Sequence, residues 1–216
     1  MTELSLRRYT GICGLVAALI SLTDVPLYFM YNGAPPQWNI LTRVLVGIVS
    51  STVLIVFLVG FRLVICRGRP QLDWAATIIL VSGLMWLTFS MVAQSMEAGT
   101  AIVSKVPIDP TVDGVLAPAQ FLLWGSIGRL MTTLFLSASG LAILRGRLMP
   151  TWLASLAFLI ALINLAFVPA MFFGYDAAQC YSAVGWGTTA TAPVLVVCWI
   201  IIASVVMIKT PAKSEA

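Results

Sequence analysis

Three residues of this 216-residue chain place a charge or a strong hydrogen-bonding group deep inside apolar stretches, away from their ends: Asp24, Arg129 and Asn164. Where water is excluded, a carboxylate and a guanidinium pair with each other, and a nearby amide fills a remaining hydrogen bond. Such a cluster does one of two kinds of work. It forms the floor of a polar cavity that binds a small solute or relays a proton, or it is a buried ion pair that fixes helix register. A pair of the second kind adds little net stability but is costly to break on one side. Pro26, two residues after Asp24, frees a backbone carbonyl and predicts a kink nearby. Arg43 competes for Asp24 from the next stretch, but it is near the end of that stretch and can snorkel to water. Arg62 has the same escape at the opposite end of that stretch.

The elements that must position these groups are six apolar runs, at about 9–30, 40–64, 73–96, 118–144, 151–173 and 187–208. Each is long enough to cross roughly 30 Å of hydrocarbon as a helix rising about 1.5 Å per residue. Backbone groups in lipid must be satisfied within their own segment, so the runs predict helices; a barrel would show short alternating segments. Composition agrees. The chain is 60% hydrophobic and 9% charged, with mean hydropathy +1.02, whereas soluble domains carry about a quarter of their residues as charged groups. The expected fold is all-α, a single integral membrane bundle of six transmembrane helices over residues 1–216.

Basic residues predict the orientation. Arg7, Arg8, Arg67, Arg69, Arg145, Arg147, Lys209 and Lys213 all fall at one end of the predicted bundle, and only Arg43 and Lys105 flank the other. The positive-inside bias places the richer side, with both termini, in the cytoplasm of a bacterial inner membrane. The net charge of +4 therefore reflects topology, and no nucleic acid is expected as a partner. Tyr28, Tyr31, Trp38, Trp124, Tyr175, Tyr181 and Trp186 cluster at the outer boundary, and Trp74 and Trp152 at the inner one, as an aromatic belt. A signal peptide opening at Arg7-Arg8 is the competing reading, but no small-x-small cleavage site follows, and an uncleaved first helix is expected. Counted from the cytoplasmic ends, Asp24 lies about 22 Å up, Arg129 about 24 Å and Asn164 about 21 Å. The three share one depth. They predict an Asp24–Arg129 pair facing the bundle interior, with Asn164 beside it.

Other signals are weaker. Arg67-Gly68-Arg69 and Arg145-Gly146-Arg147 repeat at the same offset as Trp74 and Trp152, hinting at duplicated hairpins; inward turns that simply need basic residues and tryptophan explain this as well. Gln94 and Glu97 close the third span, and Glu97, Asp109, Asp113 and Asp176 read as solvated charges of the outer loops. Ser90, Thr188, Thr189 and Thr191 would line a cavity or bond to their own helix backbone. Gly11, Gly14, Ala17 and Ala18 allow close helix approach.

There is no histidine, which removes the usual haem ligand, most zinc and copper sites and a Ser-His-Asp hydrolase. Cys13, Cys66, Cys180 and Cys198 show no C-x-x-C spacing, no lysine lies within a span, and no nucleotide-binding glycine loop exists. No catalytic residue, metal or cofactor is therefore expected.

The segment Arg147-Leu148-Met149-Pro150-Thr151-Trp152-Leu153, with the early Arg8-Tyr9-Thr10-Gly11, resembles a bacterial membrane family catalogued as domain of unknown function 4386 (DUF4386). That resemblance implies six helices over most of the chain and carries no activity to any residue. The residues themselves favour a non-enzymatic protein that binds a small or lipophilic molecule, or a partner membrane protein, between its helices. A small transporter in which Asp24 and Arg129 exchange partners is the alternative, and an intramembrane enzyme acting on lipid the third.

Overall fold

In the computed structural model the described residues are 2–31 and 33–209, so Lys213 lies outside them. Helix α1 runs Glu3–Tyr28, α2 Gln37–Cys66 and α3 Asp73–Val103. The short helix α4, Ala117–Leu122, passes through a π-helical segment, Leu123–Ile127, into α5, Gly128–Gly146. Helix α6 covers Thr151–Ala166, and α7, Ala192–Lys209, follows a second π-helical segment at Gly187–Thr191. No strand occurs among the described residues. Six helical stretches are long and apolar enough to cross a membrane: Glu3–Tyr28, Gln37–Cys66, Pro70–Val103, Ala117–Gly146, Thr151–Phe172 and Gly187–Lys209.

The third stretch differs most from the sequence expectation. Its helix continues past residue 96 to Val103, because Glu97 points into the bundle rather than ending the helix in water.

The helices close a ring. Each spanning helix packs on its neighbours in the order α1, α2, α3, α5, α6, α7, and α7 returns to α1. Glycines make that last seam. A Cβ on Gly11 would stand 2.7 Å from the Ser204 carbonyl oxygen, and one on Gly14 would collide with Ser204 Oγ and Phe57. Backbones can approach this closely only where side chains are absent.

Arginines stitch one end of the ring. Arg7 donates to the Leu148 carbonyl, Arg69 Nε to the Gly146 carbonyl at 3.1 Å, and Arg62 pairs with Asp73 at 2.7 Å. Carbonyls at helix C-termini lack intrahelical donors, and cations there satisfy them. This basic end therefore does structural work beyond any topological signal. The two similar turns are also built differently: the left-handed residue is Gly68 (φ 68°) in one and Arg147 (φ 48°) in the other. Their matching sequence does not extend to matching backbone.

An aromatic layer fills the middle of the ring. Phe57 and Phe61 stack at 5.5 Å, and Trp199 meets Phe61 and Phe135 edge-on at 6.4 and 5.8 Å. The buried Trp199 indole donates to the Leu153 carbonyl at 3.2 Å, fixing the ring in place. Polar tips on buried aromatics need such a partner.

The α1–α7 seam sets a first prediction. Gly14→Leu would overpack it and cost about 1–3 kcal/mol. Gly99→Ala on α3, where a Cβ meets nothing within 4 Å, would leave stability unchanged or slightly raised. Thermal unfolding of both variants in mild detergent reads the difference.

Candidate functional site

Away from the basic end, the ring encloses a cavity of about 530 Å³. Its walls come from α1, α2, α3, α5 and α7, with Phe121, Trp124 and the 177–186 loop above and Leu54, Trp86 and Ile200 below. Helical spacing explains who lines it. Ala18, Ser21 and Val25 fall on one face of α1, Gly47, Ser51 and Leu54 on one face of α2, and Trp86, Ser90 and Gln94 on one face of α3. A wider depression of about 610 Å³ lies at the far end of α3, but no charged residue lines it.

Asp24 and Arg129 both line the cavity, as their shared depth predicts, yet they are not partners. Arg129, 2% exposed, is held by two neutral acceptors. Its Nη1 donates to Asn164 Oδ1 at 3.2 Å, and its Nε and Nη2 donate to the Trp124 carbonyl at 3.3 and 2.9 Å. Thr132 also donates to Asn164 Oδ1, at 2.8 Å, and the Asn164 amide donates to the Ile160 carbonyl at 2.9 Å. The expected Arg129–Asn164 contact is formed; the expected Asp24–Arg129 ion pair is not. The reason is local. At Gly125 the backbone leaves helical geometry (φ −78°, ψ −112°) inside the π-helical segment, which frees the Trp124 carbonyl to accept from Arg129. A glycine without a nearby proline gave no warning of this break.

Arg43 corrects a second expectation. It does not snorkel. At 4% exposure it lies inside the bundle, and its Nη2 contacts Glu97 Oε1 at 2.8 Å. Glu97 is fully buried and its other oxygen accepts from Gln120 Nε2 at 3.4 Å. The Tyr28 ring lies 4.1 Å from the Arg43 guanidinium, in cation–π contact. Glu97 is thus a counter-ion within the bundle, not a solvated loop charge. Around it, Asn39 Nδ2 donates to the Leu27 carbonyl at 3.2 Å and Gln37 Nε2 to the Ala101 carbonyl at 3.1 Å, closing two helix ends.

With Arg43 taken by Glu97, Asp24 is left over. Its Oδ1 is enclosed yet has no hydrogen-bond donor, and the same is true of Gln94 Oε1. Both residues line the cavity. Gln94 lies where it does because Gly47 has no Cβ; one built there would collide with the Gln94 amide. A buried acceptor without a donor costs about 1–3 kcal/mol, so each such oxygen calls for an explanation. The sequence reading passed over Gln94 as a helix terminus, though the series Ser90, Gln94, Glu97 and Ala101 follows the inward stripe of α3.

Among the described residues, no group of three or more His, Cys, Asp or Glu side chains is placed to hold a metal ion. No family model matches the chain, and no curated protein or solved structure matches it either.

The buried pair supplies a second prediction. Glu97→Gln or Arg43→Met alone strands a charge and would cost about 3–5 kcal/mol, whereas the double variant would cost much less than the sum. Unfolding midpoints of the four proteins in detergent complete the cycle. Additive losses would mean that the two side chains act independently.

Proposed function

We propose that this chain is a multi-pass protein of the bacterial cytoplasmic membrane that holds a small or lipophilic molecule inside its helical ring. One observation carries the reading: a cavity of about 530 Å³ is lined by Asp24 and Gln94, each of which holds a buried acceptor oxygen without a donor. A mostly apolar chamber with a few convergent polar groups is the usual form of a ligand site. A purely architectural pair would be plugged and mutually satisfied. The resemblance around Arg147–Leu153 to domain of unknown function 4386 belongs to this proposal and adds no chemistry to it.

The aromatic layer around Trp199 weighs against the small-transporter reading, because it fills the ring between the cavity and the basic end. Binding without chemistry is the simpler use of these groups.

In this proposal the basic end and both termini are cytoplasmic and the cavity belongs to the outer half of the bilayer, following the distribution of arginine and lysine. Cys180 is exposed in the loop at the cavity end. A membrane-impermeant maleimide would therefore label Cys180 in intact spheroplasts; labelling only after lysis would invert the topology.

The binding reading is tested by purifying the chain in mild detergent and identifying what co-purifies by mass spectrometry. A retained compound is expected, and Asp24→Asn would lower its retention about tenfold at unchanged yield, the effect of one charged hydrogen bond. Equal retention by wild type and variant would make Asp24 architectural.

A further inference from the structure

Resting on that reading, the geometry points to the chemical class of the occupant: we propose a zwitterionic amphiphile whose primary ammonium meets Asp24 and Gln94, whose anionic group meets Arg129, and whose chain leaves between α1 and α7.

The ammonium follows from the two orphans. Asp24 Oδ1 and Gln94 Oε1 are both acceptors without a donor, and both residues, from α1 and α3, line the same cavity. A water could answer the two oxygens but carries no charge, whereas a primary ammonium supplies three donors together with a positive charge in contact with the carboxylate. Arg43, the nearest competitor by sequence, contacts Glu97 and not Asp24, although its charge still acts on Asp24 from a distance.

The anion follows from Arg129. Its contacts to Trp124 and Asn164 engage three N–H hydrogens, of the five that a guanidinium carries. None of these acceptors is charged, so the guanidinium lacks a counter-ion in contact. Arg129 and Asp24 thus offer opposite charges to a single chamber. A neutral ligand would leave both unanswered, and an ion of either sign would leave one.

The chain follows from the seam. Helices α1 and α7 touch at Gly11 and Gly14, beside Ser204. Farther along, Val25 of α1 and Val194 and Val197 of α7 line the cavity, together with Phe29 just past the end of α1 and Trp186 just before the π-helical segment that leads into α7. Val25, Phe29 and Trp186 both line the cavity and are exposed, which puts the chamber's opening on their side. From Trp186, through the π-helical segment, to Val197 the lining of this slot spans roughly 16 Å if each residue rises about 1.5 Å. Its walls are apolar, and they suit an acyl chain.

The test uses the full chain in mild detergent, with retained lipid quantified by mass spectrometry. Equal amounts of phosphatidylethanolamine, its mono- and dimethyl derivatives, phosphatidylcholine and phosphatidylglycerol are offered together. Retention is expected to fall at each N-methylation, by about tenfold or more across the series, with phosphatidylglycerol also poor. Asp24→Asn would flatten the series. Val194→Trp, which fills the slot, would abolish lipid retention while free phosphoethanolamine still bound by calorimetry. A flat methylation series in wild type, or a steep one preserved in Asp24→Asn, would overturn the ammonium assignment. Unchanged lipid retention in Val194→Trp would overturn the path of the chain. Preferential retention of phosphatidylglycerol would sink this inference and leave ligand binding intact; retention of nothing, phosphoethanolamine included, would sink both.

Discussion

The buried contact between Arg43 and Glu97 governs the cavity half of this molecule. It sets one positive charge against one negative charge and ties α2 to α3. The Tyr28 ring against Arg43 ties α1 to the same point, and Gln120 against Glu97 brings in α4. In an apolar medium such a node cannot be traded for water, so its members have little freedom to exchange partners. Everything nearby is arranged around what the node leaves unclaimed. Asp24 has no cation in contact, and Arg129 turns to neutral oxygens instead.

A broken helix makes that second solution possible. Regular helices consume their own carbonyls, so a buried guanidinium finds few backbone acceptors along an intact span. The departure at Gly125 releases the Trp124 carbonyl one turn from Arg129, and Asn164 on α6 supplies the second acceptor. Thr132 shares the same Asn164 oxygen, which locks the amide orientation. Arg129 is thereby held rigidly without being neutralised. A positive charge fixed in position but without an anion in contact is suited to receiving one.

Much of this architecture can be read in the sequence, because apolar length alone dictates six helices and depth counting alone groups Asp24, Arg129 and Asn164. Counting along a helix gives height but not azimuth, and azimuth decided the pairing. Distance from the span end alone suggests that Arg43 reaches water, but its spacing to Gly47, Ser50 and Leu54 puts it on the inward stripe of α2. The same holds for Glu97, three residues beyond Gln94 on the inward stripe of α3. The kink at Gly125 and the Gly47–Gln94 contact depend on neighbours far apart in the chain, and no local pattern announces them.

The tryptophan at the centre of the ring has a consequence for traffic. Trp199 is wedged among Phe57, Phe61 and Phe135 with its nitrogen tethered to α6. Moving it would break that tether and unpack rings from two other helices at once, in an interior as dense as a crystal. The aromatic layer accordingly closes the chamber toward the basic end, and no through-path crosses the ring at Trp199 without unpacking it.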